Sequence, residues 1–259
     1  MEEKIKKWLL EGGFPLEMKL SNILLDNEFE VAQSIYFRDS ESNKFRETDI
    51  IASKFINKNG LWIYITFVIE CKKSNDKPWV ILMNKGITNQ IENQLPIYHT
   101  QNAQIFLLQT NKETDFKSDL LFRNNREFGY TLQTAFNKGV DRSYESIQSV
   151  TKACEYFSQK SNERSKVCAL YFPVIVVEGK LFKANYKNQD IELKATESAE
   201  ILFTRSFHEH GNANILLFNA SNLNNMVDNL NKLASEFFKE YDNLLSKYIT
   251  FGGNTNAYG

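Results

Sequence analysis

The sequence is poor in cysteine and histidine and carries no excess of charge of either sign. Its 259 residues include three cysteines and three histidines, and 31 lysines and arginines balance 32 aspartates and glutamates. The cysteines show no Cys-x-x-Cys spacing, which argues against a disulfide framework or a zinc site and favours buried thiols in a reducing compartment. A formal net charge of -1 excludes a globally basic nucleic-acid-binding protein, although phosphate binding needs only a local basic stripe.

Long apolar runs and several common catalytic motifs are also missing. No run approaches the ~20 residues of a membrane span, and the apolar patch at residues 8–10 is too short for a signal peptide. We therefore expect a soluble, cytoplasmic protein. The chain has neither a G-x-S-x-G elbow nor a glycine-rich phosphate loop, which disfavours serine hydrolases and nucleotide-driven enzymes. His208 and His210 lie next to Gly211 without a third ligand nearby, so we expect a surface loop there rather than a zinc site.

The stretch from residue 45 to residue 73 predicts a β-hairpin. Two runs rich in Ile, Val, Phe, Thr and aromatic residues flank Asn59-Gly60, the dipeptide that best accepts the positive φ angles of a type I′ turn. With these two residues as the loop, Lys58 faces Leu61. The register of every other cross-strand pair in the hairpin follows from that one.

In this register Asp49 lies opposite Glu70, and Glu47 lies opposite Lys72. Opposed residues share a face of the sheet, as do residues two apart on one strand, so the four charges would project together. Opposed like charges repel, and the strand that carries Glu70 is otherwise apolar. A divalent cation between Asp49 and Glu70 would make the arrangement favourable, because Mg²⁺ takes one or two carboxylates with water and substrate phosphate. Lys72 could then orient or activate the attacking water. The alternative is a salt-bridged hairpin with its acidic residues at solvated ends.

These residues resemble the PD-(D/E)xK nuclease superfamily, in which an acidic residue on one strand is followed on the next strand by an acid-x-Lys triplet. Asp49 and Glu70-Cys71-Lys72 match this pattern, and Thr48 stands where the named motif has Pro. The resemblance implies an α/β fold with a restriction-endonuclease-like core, which consists of a helix, a three-stranded antiparallel meander, a helix and a further strand. It also implies a metal-dependent phosphodiesterase that acts on DNA, with Mg²⁺ as the cofactor and Mn²⁺ as a substitute.

In the resembled superfamily the first core helix often contributes an acidic residue to the metal site, and Glu17 lies on that helix here. Glu17 borders the apolar stripe of the helix. The alternative role is that of a glutamate that favours the positive end of the helix macrodipole. Glu47 is expected to be a partner of Lys72. The predicted catalytic residues are therefore Asp49, Glu70, Lys72 and Glu17, and the predicted metal ligands are Asp49, Glu70 and Glu17.

Lysines on and after the hairpin form a candidate surface for nucleic acid. Lys54 lies on the hairpin, Lys73 follows the catalytic lysine, and Lys77 lies in the next loop. Together they could face the phosphates of a DNA strand. A run of charges is more often a solvated edge, so this interpretation depends on the neighbouring site.

The remaining chain predicts one domain, residues 1–251, followed by a disordered tail at residues 252–259. We expect a minimal core at about residues 12–110 and an elaboration at about 111–251. The final helix is long enough to contact a second copy or a partner subunit, although packing across its own domain is the preferred alternative. The predicted helices cover about 15–26, 116–136, 141–160 and 221–249. The third has an apolar stripe that includes Val150, and Ser221 is expected to cap the last. The predicted strands outside the hairpin cover about 29–37, 79–82, 104–110, 167–177, 181–186, 200–207 and 213–218, with Pro173 interrupting the strand at 167–177 and a turn at 178–180.

The sequence thus predicts a metal-dependent nuclease that hydrolyses DNA phosphodiester bonds, as an endonuclease in restriction, phage defence or repair. Two alternatives remain open. One is a catalytically silent nuclease fold that binds nucleic acid or a partner protein, and the other is a nuclease directed at RNA, since the site chemistry engages phosphate and does not discriminate the sugar.

Overall fold

The computed structural model describes residues 1–84, 98–105, 127–139, 141–204 and 212–240. These ranges form a mixed α/β protein with a sheet-dominated core and a C-terminal helix. The helices are α1 (Glu2–Glu11), α2 (Phe14–Asp26), α3 (Arg142–Ser161) and α4 (Leu223–Glu240). The strands are β1 (Glu30–Arg38), β2 (Phe45–Lys58), β3 (Leu61–Asn84), β4 (Tyr98–His99), β5 (Phe128–Thr134), β6 (Val167–Lys187), β7 (Asp190–Ala195), β8 (Ser198–Thr204) and β9 (Asn212–Asn219).

The first three strands form the predicted antiparallel meander, and the hairpin turn is confirmed. Asn59 has a φ angle of 50° and Gly60 one of 85°, the positive values that a type I′ turn requires. Lys58 pairs with Leu61, and the predicted register continues as far as the Ile50–Ile69 pair. On its other edge β2 pairs with β1.

A parallel pairing between β3 and β6 organises the rest of the sheet. It begins at Trp62–Val167 and ends at Leu82–Ala184. The connection between these two strands includes α3, as parallel strands require a long crossover. Strand β5 pairs with the second half of β3 and is joined to β8 by the bridge Gly129–Ile201. Strand β8 pairs with β9, and β9 pairs with β6. The described strands β3, β5, β8, β9 and β6 therefore close into a ring of pairings.

Helices cover both faces of the sheet and create two cores. Leucines of α2 and the apolar stripe of α4 pack on one face, against residues such as Ile69 and Phe172. The apolar stripe of α3 packs on the other face, against residues such as Val68 and Trp79. The stripe of α4 is buried from Leu223 to Phe237. A contact of this helix with a second copy therefore stays a prediction for the residues beyond 240, which lie outside the described ranges.

Several predicted elements are wrong. Residues 128–134 were expected in a helix but form β5, and residues 104 and 105 were expected in a strand but are helical. The predicted turn at 178–180 is continuous strand in β6. The predicted strand at 79–82 is the second half of β3 rather than a separate element. In β3, β5 and β6, pairing with distant strands outweighs local sequence preference.

The predicted cap of the final helix is also wrong. Ser221 lies inside a short 3-10 turn, and Asn222 Oδ1 accepts the Asn225 N–H at 3.3 Å at the start of α4. Helix α1 was not predicted, and none of its side chains is buried. The sequence between 106 and 126, the His208–His210 pair and the tail lie outside the described residues. Of the helices in the described ranges, none combines the length and the hydropathy that a membrane span requires.

A bulge interrupts β3 beside Gly179 of β6. The register jumps from Ser74–Gly179 to Trp79–Leu181, so four residues of β3 stand opposite one of β6. The hydroxyl of Ser74 donates to the Lys77 carbonyl at 2.8 Å and closes the bulge. A Cβ atom on Gly179 would lie 2.4 Å from the Ser74 carbonyl oxygen. Gly179 is therefore required by the close approach of the two backbones.

A buried charge cluster joins the turn after β1 to α3. Asp39 is 1% exposed, and its carboxylate accepts from Lys152 Nζ at 3.0 Å and from Arg46 Nε at 2.6 Å. Ser42 Oγ also donates to it at 2.8 Å. Burial alone would raise the pKa of Asp39, but the donors, with Lys152 first, hold that pKa well below its usual value. The ionised carboxylate is thus strongly stabilised in the folded state.

Replacing Gly179 by alanine is expected to destabilise the fold by about 2 kcal/mol, because the added methyl group overlaps the Ser74 carbonyl and forces the bulge open. Urea denaturation measures the change. Gly139→Ala is the matched control, since a Cβ there meets no atom within 4 Å. Equal stability of both variants would contradict the role of Gly179.

Asp39→Asn is expected to cost about 2–3 kcal/mol at pH 7, because the buried Lys152 and the exposed Arg46 lose their charged partner. A carboxyl with a lowered folded-state pKa stabilises above its unfolded pKa, near 3.8, and loses that contribution as pH falls below it. The gap between wild type and variant should therefore shrink below about pH 4. Denaturation from pH 3 to pH 7 measures it, with exposed Asp26→Asn as the control. A gap independent of pH would contradict the assignment.

Candidate functional site

The charged end of the hairpin begins where the β2–β3 ladder stops. Ile50–Ile69 is its last pair, so Asp49 does not form the predicted ladder pair with Glu70. The Asp49 carboxylate instead turns across the gap and accepts the Cys71 backbone N–H at 2.7 Å. Beyond that pair β2 stays paired with β1 as far as Phe45, and β3 stays paired with β6. At this end the Asp49 side chain, rather than a backbone pair, links β2 to β3.

Glu47 does not occupy its predicted position opposite Lys72. It pairs across β1 with Tyr36, and the Tyr36 hydroxyl donates to its carboxylate, which raises the pKa of the tyrosine. Glu47 is exposed. It therefore borders the site and adds negative charge, whereas the ion pair of Lys72 is made with Glu70.

Glu70 is the most deeply buried acidic group of the site, at 5% exposure. Its Oε1 atom lies 2.5 Å from Lys72 Nζ, two residues away on the same face of β3. Its Oε2 atom accepts from Ser149 Oγ of α3 at 3.3 Å. One oxygen of the Glu70 carboxylate thus contacts Lys72 of the same strand, and the other contacts Ser149 of the covering helix α3.

Glu17 reaches the same region from α2. Pro15 lies in the first turn of this helix, where its missing N–H costs nothing, and Glu17 follows in the same turn. The Glu17 side chain is partly buried, and the charges that perturb it are those of Asp49, Lys72 and Glu47. The structure therefore brings together all four predicted catalytic residues.

Positive charge is scarce among these carboxylates. Burial, followed by the charge of Asp49, raises the pKa of Glu70 to about 7, against the opposing effect of Lys72. Burial is also the first cause of the raised pKa of Asp49, to which Glu47 adds. Burial and then Asp49 raise the pKa of Glu17. One ammonium group is shared by three carboxylates, and ionising all of them at neutral pH costs free energy.

Lys72 is a cation at neutral pH. Burial lowers its pKa, but the charges of Glu70 and Asp49 outweigh burial, and the net pKa is raised. A protonated amine donates hydrogen bonds and cannot accept a proton. The neighbouring Cys71 thiol is 5% exposed, and burial followed by the Asp49 charge raises its pKa well above the usual value. Cys71 therefore stays protonated and contributes its backbone N–H to the site.

The residues present fit a hard divalent cation in an open site. Asp49 and Glu70 offer carboxylate oxygens, which Mg²⁺ prefers, and their raised pKa values mark a deficit of positive charge. Among the described residues, no three Asp, Glu, His or Cys side chains are arranged to hold a metal ion. The fit is thus to two carboxylates supplemented by water and substrate, rather than to a closed protein cage.

The three predicted nucleic-acid-binding lysines lie in different places. Lys54 Nζ lies over the Phe29 ring at 4.9 Å, five residues from Asp49 and so about 17 Å along β2. Lys73 donates to the Leu10 carbonyl of α1 at 2.8 Å. Lys73 and Lys77 both line a cavity beside the β3 bulge. The structure therefore brings two of the three lysines together and leaves Lys54 apart from them.

Ser149 was not identified from the sequence. It lies on α3 immediately before Val150, a member of the predicted apolar stripe. A serine at the border of such a stripe carries no specific signal. Its role depends on the packing of α3 over β3, which only the tertiary structure provides.

Glu70→Gln is expected to flatten the pH dependence of stability. A carboxyl whose folded pKa is raised binds more protons in the folded state, so stability falls as pH rises from about 4.5 through 7. The variant lacks this loss, which is on the order of 2–3 kcal/mol for a shift of this size. Urea denaturation between pH 5 and pH 8, in EDTA, measures the difference.

The matched control for this prediction is Glu236→Gln on the exposed face of α4, which should follow the wild type at every pH. Wild type and Glu70→Gln should be equally stable near pH 5. Parallel stability curves for these two proteins across the range would show that Glu70 is not held in a destabilised charged form.

Comparison with known proteins gives no relative on which to base a function. No family model, curated protein or solved structure matches the chain. The functional argument therefore rests on the side chains gathered at the end of the hairpin.

Proposed function

We propose that this protein is a divalent-metal-dependent nuclease that hydrolyses DNA phosphodiester bonds. The observation that carries the proposal is the convergence of Asp49, Glu70 and Lys72 at the parted end of the hairpin, with Glu17 approaching from α2. Buried carboxylates with raised pKa values beside a lysine are typical of catalytic sites. Their arrangement accords with the PD-(D/E)xK pattern.

The order of elements supports a restriction-endonuclease-like core. Helix α2 precedes the antiparallel meander β1–β2–β3, and α3 precedes β6, which pairs in parallel with β3. This is the order of helix, meander, helix and strand that the resemblance implies. The helix and the parallel strand beside the meander come from residues 142–187, later in the chain than the expected core at 12–110.

The residues would divide the chemistry according to their charge. Asp49 and Glu70 would hold Mg²⁺, which supplies positive charge to the phosphoryl oxygens and lowers the pKa of bound water. Lys72, as a cation, would donate to a phosphoryl oxygen and stabilise the charge that develops there, or hold the attacking water in line. Ser149 and the Cys71 N–H would keep the two carboxylates oriented.

Hydrolysis adds water to phosphorus and breaks the bond to the leaving sugar oxygen, which takes up a proton. In the metal-free site the charges of Glu70 and Asp49 raise the Lys72 pKa, so Lys72 is present there as a hydrogen-bond donor. Glu17, partly buried with a raised pKa, would complete the site through water, since the described residues offer two carboxylates rather than three for direct contact with a metal ion.

The proposal includes the setting. We assign the protein to the cytoplasm, where its three free, buried cysteines would stay reduced, and to restriction, phage defence or repair. A second copy or a partner subunit could dock through the C-terminal helix.

Cleavage of supercoiled plasmid and of linear DNA, with Mg²⁺, Mn²⁺ or EDTA, tests the proposal. Wild type should nick or linearise plasmid only with metal. Asp49→Asn, Glu70→Gln and Lys72→Met should each lower kcat by at least about 100-fold, as expected for loss of charge stabilisation in a phosphoryl-transfer site. Lys166→Met, at the exposed start of β6, is the matched control for Lys72→Met and should cut normally.

Thermal unfolding with Mn²⁺ separates metal binding from turnover. Wild type should gain stability with metal, since a ligand that binds only the folded state stabilises it, and Asp49→Asn should not. Metal binding without cleavage of DNA or RNA would favour a silent module, and cleavage of RNA alone would favour the RNA-directed alternative. Activity in EDTA, or activity retained in the three variants, would refute the assigned site.

A further inference from the structure

A polar cavity of about 610 Å³ opens beside the candidate site. It lies between the β3 bulge, the turn that follows β5 and the first turns of α3. All eight residues that line it are polar or charged, and none of the eight is aromatic. A cavity of this composition suits a charged, hydrated ligand group rather than a stacked base, which needs an aromatic platform.

The bulge shapes one wall of the cavity. Ser74, Asp76 and Lys77 line it. Ser74 is the last paired residue before the bulge, and Asp76 and Lys77 are two of the four β3 residues that stand opposite one residue of β6. The hydrogen bond from Ser74 Oγ to the Lys77 carbonyl holds this wall, and Gly179 gives it room. Bulges commonly re-aim side chains next to functional sites.

Both β3 and α3 contribute residues to the candidate site and to the cavity. Along β3, Lys73 and Ser74 follow Lys72 directly, so the cavity wall begins within about 13 Å of Glu70. Along α3, Glu145 lies one turn, or about 6 Å, before Ser149, whose hydroxyl touches Glu70. The cavity and the site therefore lie on one continuous surface.

Cations in the cavity are available to a ligand. Lys77 and Arg142 are exposed and have no ion-pair partner among the residues that the structure describes. Lys73 gives one N–H to the Leu10 carbonyl and keeps two further donors. Against these three cations stand the carboxylates of Asp76 and Glu145. This balance suits one phosphate group among the cations better than a closely spaced run of phosphates.

We propose that this cavity binds the phosphodiester backbone of the substrate strand a few nucleotides from the bond that is cut, with Arg142 as its principal contact. The proposal rests on the proposed nuclease function and adds the position of the flanking strand. The distance of about 10–13 Å along β3 from Glu70 to Lys73 and Ser74 corresponds to three to four nucleotides at the 3.4 Å rise of one strand. Contacts of this kind position the strand without reading its sequence.

Equilibrium binding of labelled oligonucleotides, followed by fluorescence anisotropy in EDTA, tests the cavity separately from cleavage. Duplex DNA, single-stranded DNA and RNA are compared over a range of salt concentrations. Arg142→Ala should weaken binding about tenfold, as expected for loss of a charge-assisted hydrogen bond. Arg142→Ala and Lys77→Ala should each reduce the slope of log affinity against log salt by about one.

Arg164→Ala is the matched control, because Arg164 is an exposed arginine just past the other end of α3, about 30 Å away along the helix. It should bind as the wild type does. In cleavage assays Arg142→Ala should raise KM and leave kcat unchanged. Unfolding curves of the three variants should coincide with that of the wild type, since their side chains are exposed.

The outcomes separate the two proposals. Unchanged affinity and salt slope in Arg142→Ala and Lys77→Ala, with metal-dependent cleavage intact, would contradict the binding of the strand in the cavity. The proposed nuclease function would be unaffected. Binding that depends on Arg142 without any cleavage would support the cavity and count against the catalytic assignment. A wild type that neither binds nor cuts any of the three nucleic acids would overturn both.

Discussion

The structure depends on the parallel pairing of β3 with β6, which extends from Trp62 to Leu82 with one interruption. Parallel strands are usually covered on both faces, and here α2 and α4 cover one face while α3 covers the other. Glu70 lies within this covered region, so its carboxylate is placed in an apolar layer. The electrostatics of the site follow from that placement.

Local sequence signals were enough to predict the hairpin and the acidic residues at its end. The type I′ turn at Asn59-Gly60 fixes the register over nine pairs, up to Ile50–Ile69, because strand pairing propagates from a tight turn. That register is enough to place Asp49 and Glu70 at the same end of the hairpin. The register does not place Glu17, which was predicted from the resemblance, in which the first core helix often contributes an acidic residue.

Long-range pairing set the limit of prediction. Asp49 lies beyond the last β2–β3 pair and accepts the Cys71 N–H through its side chain, and Ser149 contacts Glu70 because α3 packs over β3. Neither contact has a local sequence signal. Pro173 suggested a break in β6, yet the strand continues through it. Pro173 lies between the segment of β6 that pairs with β4 and the segment that pairs with β9, where that edge of β6 has no described partner and the missing N–H costs little.

The same fold treats two buried carboxylates in opposite ways. The Asp39 carboxylate accepts hydrogen bonds from both Lys152 and Arg46, and its pKa is lowered. Glu70 shares one ammonium group with Asp49 and Glu17, and its pKa rises to about 7. Asp39 shows that this fold can neutralise a buried carboxylate. At Glu70 too little positive charge is nearby, and the folded state is less stable for it. The missing charge is what a divalent cation would bring, so the deficit at Glu70 agrees with the proposed metal site.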